Sequence, residues 1–196
     1  MKKWISFLVL LLLSACGISV SPESAAVKMF PLTTASMQVD QDTLELRQTI
    51  EAEDGSAIVM LSFQGVLPEM GPVTCLYTYQ IFHSLIGWRA ANGGGACQQD
   101  QPKLQEQDLD VQIGYLIGQP PLDAGYGHVY GYVHNTDIVK VQIIWDDDDV
   151  TEVDVVNGTY LAIRNTQLAV KSVVGLSEQG QEIYTYFPIG SSVRQP

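Results

Sequence analysis

The segment that decides the fold class is IVKVQIIWDDDDVTEVDVVNGTYLAIR, residues 138–164. Apolar and polar side chains alternate on both sides of the four aspartates, and this period of two is that of a half-buried β-strand. Asn157-Gly158 is a strong signal for a two-residue hairpin, because both central residues of a type I′ turn need positive φ. The segment therefore predicts three antiparallel strands joined by two tight turns.

The same alternation extends through most of the chain, and helical periodicity is nearly absent, so the predicted fold class is all-β. Closely spaced short strands over 125–190 favour a small antiparallel sandwich. A second β-rich unit, built from hairpins, is predicted over 41–118. The Gly- and Pro-rich stretch GQPPLDAGYG, residues 118–127, is interpreted as the boundary between the two units or as a long crossing between sheets.

The sandwich region resembles the small immunoglobulin-like or prealbumin-like modules that are common in bacterial envelope proteins. The resemblance rests on the spacing of the turns around NGTY, residues 157–160, and VVGLSEQGQEI, residues 173–183. It implies an architecture and leaves the function open.

The first 17 residues carry a processing signal. Lys2 and Lys3 precede the apolar run WISFLVLLLL, which is too short to cross a bilayer as a helix of about 20 residues. LSAC, residues 13–16, with Gly17 after it, looks like the lipobox of bacterial lipoproteins. That resemblance implies export, removal of residues 1–15, and a lipid on Cys16 that holds the protein to an envelope membrane.

Residues 16–40 contain Ser, Thr, Ala and Pro without a sustained hydrophobic period, and they are predicted to form a flexible tether. Removal of Lys2 and Lys3 with the leader leaves eight basic and 22 acidic side chains, a net charge of −14. Nucleic acid and anionic lipid are both disfavoured as partners because each requires a basic face.

Cys75 and Cys97 are the two cysteines that remain once Cys16 carries a lipid, and an exported protein can pair them. Both are eleven residues from Ile86, so an antiparallel hairpin that turns there would place them opposite each other. We predict a structural disulfide, with free thiols or a redox pair as the alternatives. NGGGAC, residues 92–97, is interpreted as a flexible hairpin loop beside it.

Linear motifs for catalysis are missing: the sequence has three histidines and no GxSxG, HExxH, SxxK or phosphate loop. Three Tyr-x-Tyr pairs occur on predicted strands, at 77/79, 130/132 and 184/186. Tyr130 and Tyr132 could stack against a sugar or clamp a peptide, or they could simply be half-buried strand residues.

The run Asp146–Asp149 is expected to be a hairpin turn, since Asp tolerates turn geometry. An EF-hand is excluded because Val150 and Thr151 stand where its loop needs an Asp or Asn ligand followed by a glycine. A calcium site of another kind would need Asp146 and Asp148 to meet further carboxylates, such as Glu152, Asp154, Asp123 or Asp137. No cofactor is otherwise expected.

The sequence thus favours a non-catalytic, membrane-anchored envelope lipoprotein that binds a protein, a peptide or a glycan. Two other classes remain open. One is an envelope enzyme whose site is assembled from residues that form no linear motif, and the other is a purely structural or inhibitory lipoprotein.

Overall fold

The computed structural model describes residues 19–52, 54–99, 108–116, 126–164 and 169–188. The chain divides into two compact units, Met1–Gln99 and Asp100–Pro196. Every strand pairing in the described sheets is antiparallel. The predicted all-β, antiparallel, sandwich-like class is therefore confirmed.

The N-terminal unit contains a four-stranded meander in which each strand pairs with the next along the chain. Its strands are long, 11 to 14 residues, and one face carries the core of the unit. They are β1 (Gln38–Glu51), β2 (Ala57–Leu67), β3 (Gly71–Ser84) and β4 (Gly87–Gln99).

A helix, α1 (Pro22–Thr33), precedes the sheet, and it overturns the prediction of a flexible tether over 16–40 for the part that the structure describes. The helix begins with a capping box: Ser21 Oγ accepts from the Ser24 amide, and Ser24 Oγ accepts from the Ser21 amide, both at 3.2 Å. Pro22 fits the first helical position because its missing N–H would have no partner there. The apolar stripe of the helix is short, so hydrophobic periodicity in the sequence did not predict it.

The helix covers one face of the sheet. Ala25, Ala26 and Phe30 are buried against it, and the Phe30 ring meets the Phe63 ring edge-on with centroids 4.8 Å apart. Thr33 Oγ1 lies 2.7 Å from the Tyr79 hydroxyl, which ties the last helical turn to β3. A single antiparallel sheet needs such a cover because one of its faces is apolar.

The predicted disulfide is confirmed. Cys75 on β3 lies opposite Cys97 on β4 in the strand register, and their sulfurs are bonded. Leu85 and Ile86 form the turn between the two strands, which matches the position expected from the spacing of the cysteines. In the chain-entropy description, closing a loop of this length stabilises the fold by roughly 3 kcal/mol.

The glycines of NGGGAC lie within β4, so their interpretation as a hairpin loop is wrong. Their role is steric. A Cβ on Gly93 would lie 2.3 Å from the ring of Tyr79, whereas one on Gly94 would have nothing within 4 Å. The ring of the buried Tyr79 therefore packs directly against the backbone of β4 at Gly93, in the space that a side chain would occupy.

The C-terminal unit has two sheets around one core, as a sandwich requires. The first has the order β11-β10-β7-β8 and the second the order β5-β6-β9. The strands are β5 (Gln112–Leu116), β6 (Tyr126–Tyr132), β7 (Lys140–Trp145), β8 (Val150–Asp154), β9 (Thr159–Arg164), β10 (Val170–Leu176) and β11 (Glu182–Tyr186).

The boundary between the units lies earlier than the sequence indicated. The predicted units, 41–118 and 125–190, assigned the strand after Leu109 to the N-terminal unit, but β5 pairs with β6 in the C-terminal one. The chain divides between Gln99 and Asp100 instead. Of the two interpretations of residues 118–127, a connection within one unit agrees with this division, because the flanking strands β5 and β6 pair in the C-terminal unit.

Alternation along β7 shows how this core is filled. Val141, Ile143 and Trp145 are fully buried while the residues between them are half-buried. The turns are also those expected: Asn157 and Gly158 have φ of 50° and 69°, and Asp148 has φ of 63°.

Gly93→Ala and Gly94→Ala form a matched pair of adjacent substitutions in β4. Gly93→Ala should lower the free energy of unfolding by about 1–3 kcal/mol, because the Tyr79 ring must move in a packed core. Gly94→Ala should be neutral or stabilising by up to about 1 kcal/mol, since alanine loses less backbone entropy. Urea denaturation of the two variants checks this, and equal effects would contradict the steric role of Gly93.

Candidate functional site

The residues predicted to act as a site lie in different parts of the structure. Cys16 lies outside the described residues. Tyr130 is 5% exposed and its ring stacks on His128, with centroids 5.4 Å apart, so it does not present a face to a ligand. Tyr132 is half-buried and stacks on His134 at 6.3 Å. The prediction of an open tyrosine surface is therefore wrong for Tyr130.

The other tyrosine pairs also belong to the packing of their units. Tyr77 and Tyr79 are buried in the core under α1, and burial raises the pKa of Tyr79 to about 12. Tyr184 and Tyr186 are half-buried against the sandwich core. Tyrosine in this chain follows its ordinary preference for half-buried strand positions.

The acidic turn forms ion pairs with two basic side chains of the same unit. Arg164 on β9 donates two hydrogen bonds of 2.8 Å to the two carboxylate oxygens of Asp147, and it lies 3.0 Å from Asp149. Hydrogen bonding from Arg164 lowers the pKa of Asp147. The guanidinium also lies 5.5 Å from the centroid of the Trp145 ring, which holds it between the turn and the core.

A second basic side chain contacts the same turn: Lys171 on β10 forms an ion pair with Asp148. Within the described ranges, no group of three or more His, Cys, Asp or Glu side chains could hold a metal ion. The structure therefore does not support calcium at Asp146 and Asp148: Asp148 meets a lysine, and Glu152 pairs with Lys140 at 2.7 Å. Asp123 lies outside the described residues.

One histidine and one carboxylate do meet, at the edge of the C-terminal sandwich. His134 Nε2 lies 2.9 Å from Asp110 Oδ2. The backbone of Asp110 is equally engaged, since its N–H donates to Tyr132 O at 2.8 Å and its carbonyl accepts from the Tyr160 hydroxyl at 2.9 Å. Asp110 thus links three segments of the unit, which is a structural role.

A nucleophile is missing beside this pair. In the part of the chain that the structure describes, the His134 ring has Asp110 as its polar side-chain partner and meets no serine, threonine or cysteine. Hydrolysis by a triad requires a nucleophile within hydrogen-bond reach of the imidazole. The arrangement can join strands, and it lacks the group that would attack a substrate.

A polar groove lies elsewhere in the same unit, with a volume of about 470 Å³. It is formed by the loop before β7 and the β10–β11 hairpin, and backbone hydrogen bonds fix both: Val139 N–H donates to Leu176 O, and Ser177 N–H donates to Gln181 O, each at 2.9 Å. Its lining residues are Thr136, Asp137, Val139, Ser177, Glu178, Gln179, Gln181 and Ile183.

The polar groove has two carboxylates and no basic side chain in its lining. Asp137 and Glu178 form no ion pair within the described residues, in contrast to Asp147, Asp148 and Asp149. Sequence reasoning missed this groove because its residues come from two loops about 40 positions apart. The turn predicted at SEQGQ, residues 177–181, forms one wall of the groove, but nothing in the sequence indicated that the loop before β7 forms the other.

No family model, no curated protein and no solved structure matches the chain. Among the described residues, no helix is both long and apolar enough to cross a membrane.

His128 on β6 is a buried titratable group of the unit. It is 3% exposed, and its ring lies where a Cβ on Gly114 would come within 2.3 Å, so the glycine on β5 makes room for it. Burial lowers the pKa of His128 from 6.5 to about 4, because the imidazolium loses its hydration.

This shift predicts a loss of stability in mild acid. From pH 6.5 down to pH 4 the unfolded chain binds a proton at His128 that the folded chain does not, so the free energy of unfolding falls as the pH falls. The loss from this group is about 3 kcal/mol and is complete near pH 4. Urea denaturation at several pH values measures it.

The matched variants are His128→Gln and His83→Gln. His128→Gln should remove this part of the pH dependence, while His83→Gln, at an exposed position, should keep it. An unchanged slope in His128→Gln would show that the buried imidazole is not its source.

Proposed function

We propose that this chain is a non-catalytic bacterial envelope lipoprotein that is anchored by a lipid on Cys16 and binds a partner through the polar groove. The anchor is supported by the leader: two lysines, a ten-residue apolar run and the LSAC box that ends at Cys16. The disulfide between Cys75 and Cys97 agrees with an exported protein, because such bonds persist in oxidising compartments.

The observation that carries the binding role is the difference between two acidic regions of one unit. The turn Asp146–Asp149 is the most acidic stretch of the sequence, yet three of its four carboxylates form ion pairs with Arg164 or Lys171. The polar groove keeps two carboxylates with no such partner within the described residues. The groove carboxylates are therefore both available to a cationic ligand, whereas three of the four turn carboxylates already have a basic partner.

The chemistry of the lining defines the partner. Two carboxylates, side-chain amides and hydroxyls are acceptors and donors for a hydrophilic ligand, and Val139 and Ile183 supply limited apolar contact. We propose a basic segment of an envelope protein or peptide, with a glycan as the competing ligand. Because hydrogen bonds within and between the two loops hold the walls, little ordering entropy is lost on binding.

The non-catalytic part of the proposal is supported by the Asp110–His134 pair. Its carboxylate and backbone link neighbouring segments, and the described residues place no nucleophile beside the imidazole. A structural pair of this kind accounts for the histidine without invoking a reaction.

Cys16→Ser tests the anchor. The wild-type protein should partition into the detergent-rich phase and yield an N-terminal peptide whose Cys16 carries a diacylglyceryl group, whereas the variant should remain aqueous and keep its leader. Phase partition and mass spectrometry measure both properties. Ser14→Ala is the control, because it keeps Cys16 and a small residue in the box; an aqueous wild-type protein would contradict the anchor.

A cross-linking pull-down of the lipidated protein from its own membranes tests the polar groove. Asp137→Asn with Glu178→Gln should abolish capture of the partner, and salt should weaken capture by the wild type because the interaction is ionic. Asp146→Asn with Asp154→Asn removes the same charge from exposed positions outside the groove and should leave capture intact. Equal loss in both double variants would place binding outside the groove.

A further inference from the structure

The tip of the β3–β4 hairpin is an exposed apolar turn. Ser84 pairs with Gly87, so Leu85 and Ile86 alone make the turn, and their exposed fractions are 105% and 65%. Two-residue turns ordinarily use Gly, Asn or Asp, which solvate well and adopt positive φ. Exposure of Leu85 and Ile86 to water is unfavourable, so these side chains are expected to contact an apolar environment in the functional state.

The N-terminal chain reaches the fold beside this tip. Ser19 and Trp88 form an antiparallel bridge, in which the Ser19 N–H donates to Trp88 O at 3.1 Å and the Trp88 N–H donates to Ser19 O at 2.9 Å. Ser19 is buried, while Val20, next along the chain, is 96% exposed. The bridge lies two residues from Ile86, so it fixes the start of the folded chain at this end of the sheet.

The lipid attachment site is close to this bridge. Cys16 precedes Ser19 by three residues, and an extended chain spans at most about 3.6 Å per residue, so their Cα atoms lie within about 11 Å of each other. Because α1 follows almost at once, no long spacer separates the lipid from the fold. An anchor on Cys16 would hold the Trp88 end of the sheet at the membrane surface.

Charge also distinguishes this hairpin from the rest of the chain. The sequence has 22 acidic residues, yet none occurs from Met70 to Gln99, where Arg89 is the one residue with a full charge. Trp88 is half-buried and meets His83 edge-on at 5.0 Å, and tryptophan is favoured at the boundary between headgroups and acyl chains. The nearest acidic residue to Ser19 along the chain is Glu23, which is half-buried.

We infer that Leu85 and Ile86 insert into the lipid bilayer to which Cys16 is anchored, with Trp88 and Arg89 at the headgroup level. This inference rests on the proposed lipid anchor. The bilayer is the occupant because the chain path brings it to the tip and the tip itself has no carboxylate, although the β1–β2 turn at the same end of the sheet carries the exposed Glu51 and Asp54.

Fluorescence of the lipidated protein in vesicles tests the insertion. Vesicles of phosphatidylcholine and phosphatidylglycerol are prepared with plain or with brominated acyl chains, and mass spectrometry first verifies the lipid on Cys16. Trp88 should be quenched by the brominated chains, whereas Trp145, fully buried in the sandwich core, should not. Trp88→Phe isolates the emission of Trp145.

Leu85→Asp with Ile86→Asp should remove the quenching of Trp88. Met70→Asp is the control, since it adds a charge at an exposed apolar residue of the β2–β3 turn, at the far end of β3 and about 40 Å away. It should leave quenching unchanged. Circular dichroism of each variant verifies that the sheets are intact.

The outcomes separate the two proposals. A lipidated Cys16 with an unquenched Trp88, or quenching that survives the double aspartate variant, overturns the insertion and leaves the anchor standing. An unmodified Cys16 overturns both. If the double variant instead loses a protein cross-link while Trp88 is unquenched in the wild type, the tip binds a protein and the bilayer contact is wrong.

Discussion

The packing of Phe30 against Phe63 is the contact on which the N-terminal unit depends. A four-stranded antiparallel meander has one apolar face, and in this chain a single short helix covers it. The ring contact at 4.8 Å and the hydrogen bond from the last helical turn to Tyr79 hold α1 in place. Because the helix is fixed, Ser19 is fixed as well, and the segment that would otherwise be a spacer becomes part of the fold.

Much of the architecture could be predicted because two signals were local. Alternation in the segment 138–164 located the strands of the sandwich, and the spacing of Cys75 and Cys97 around Ile86 gave the hairpin register. The helix escaped prediction because its stripe has only Ala25, Ala26 and Phe30 on the sheet side, although the capping box at Ser21 and Ser24 was a usable signal. The unit boundary escaped because strand partners are chosen by tertiary packing, which a Gly- and Pro-rich stretch does not report.

The candidate sites were harder to predict than the fold. Tyr130 and Tyr132 are two positions apart, so they were expected on the same face of a strand. The spacing does not tell whether that face is covered. In the structure Tyr130 is buried beside His128. The four consecutive aspartates suggested a cation site. Their basic partners, Arg164 and Lys171, are distant in sequence, so the ion pairs could not be predicted from the run itself. The polar groove required two loops whose proximity follows from the pairing of β7 with β10.

The two functional proposals are tied together by the distribution of charge. Of the 22 acidic residues, fourteen lie in Asp100–Pro196 with five basic ones, so that unit carries a net charge of −9, whereas the hairpin from Met70 to Gln99 carries +1. An anionic membrane surface repels the first and attracts the second weakly, with a range of about 8 Å at physiological salt. If Cys16 carries the proposed lipid, this difference favours membrane contact through the hairpin rather than through the acidic C-terminal unit. For the proposed binding role, the same repulsion would keep the acidic groove in water, where a cationic partner could reach it.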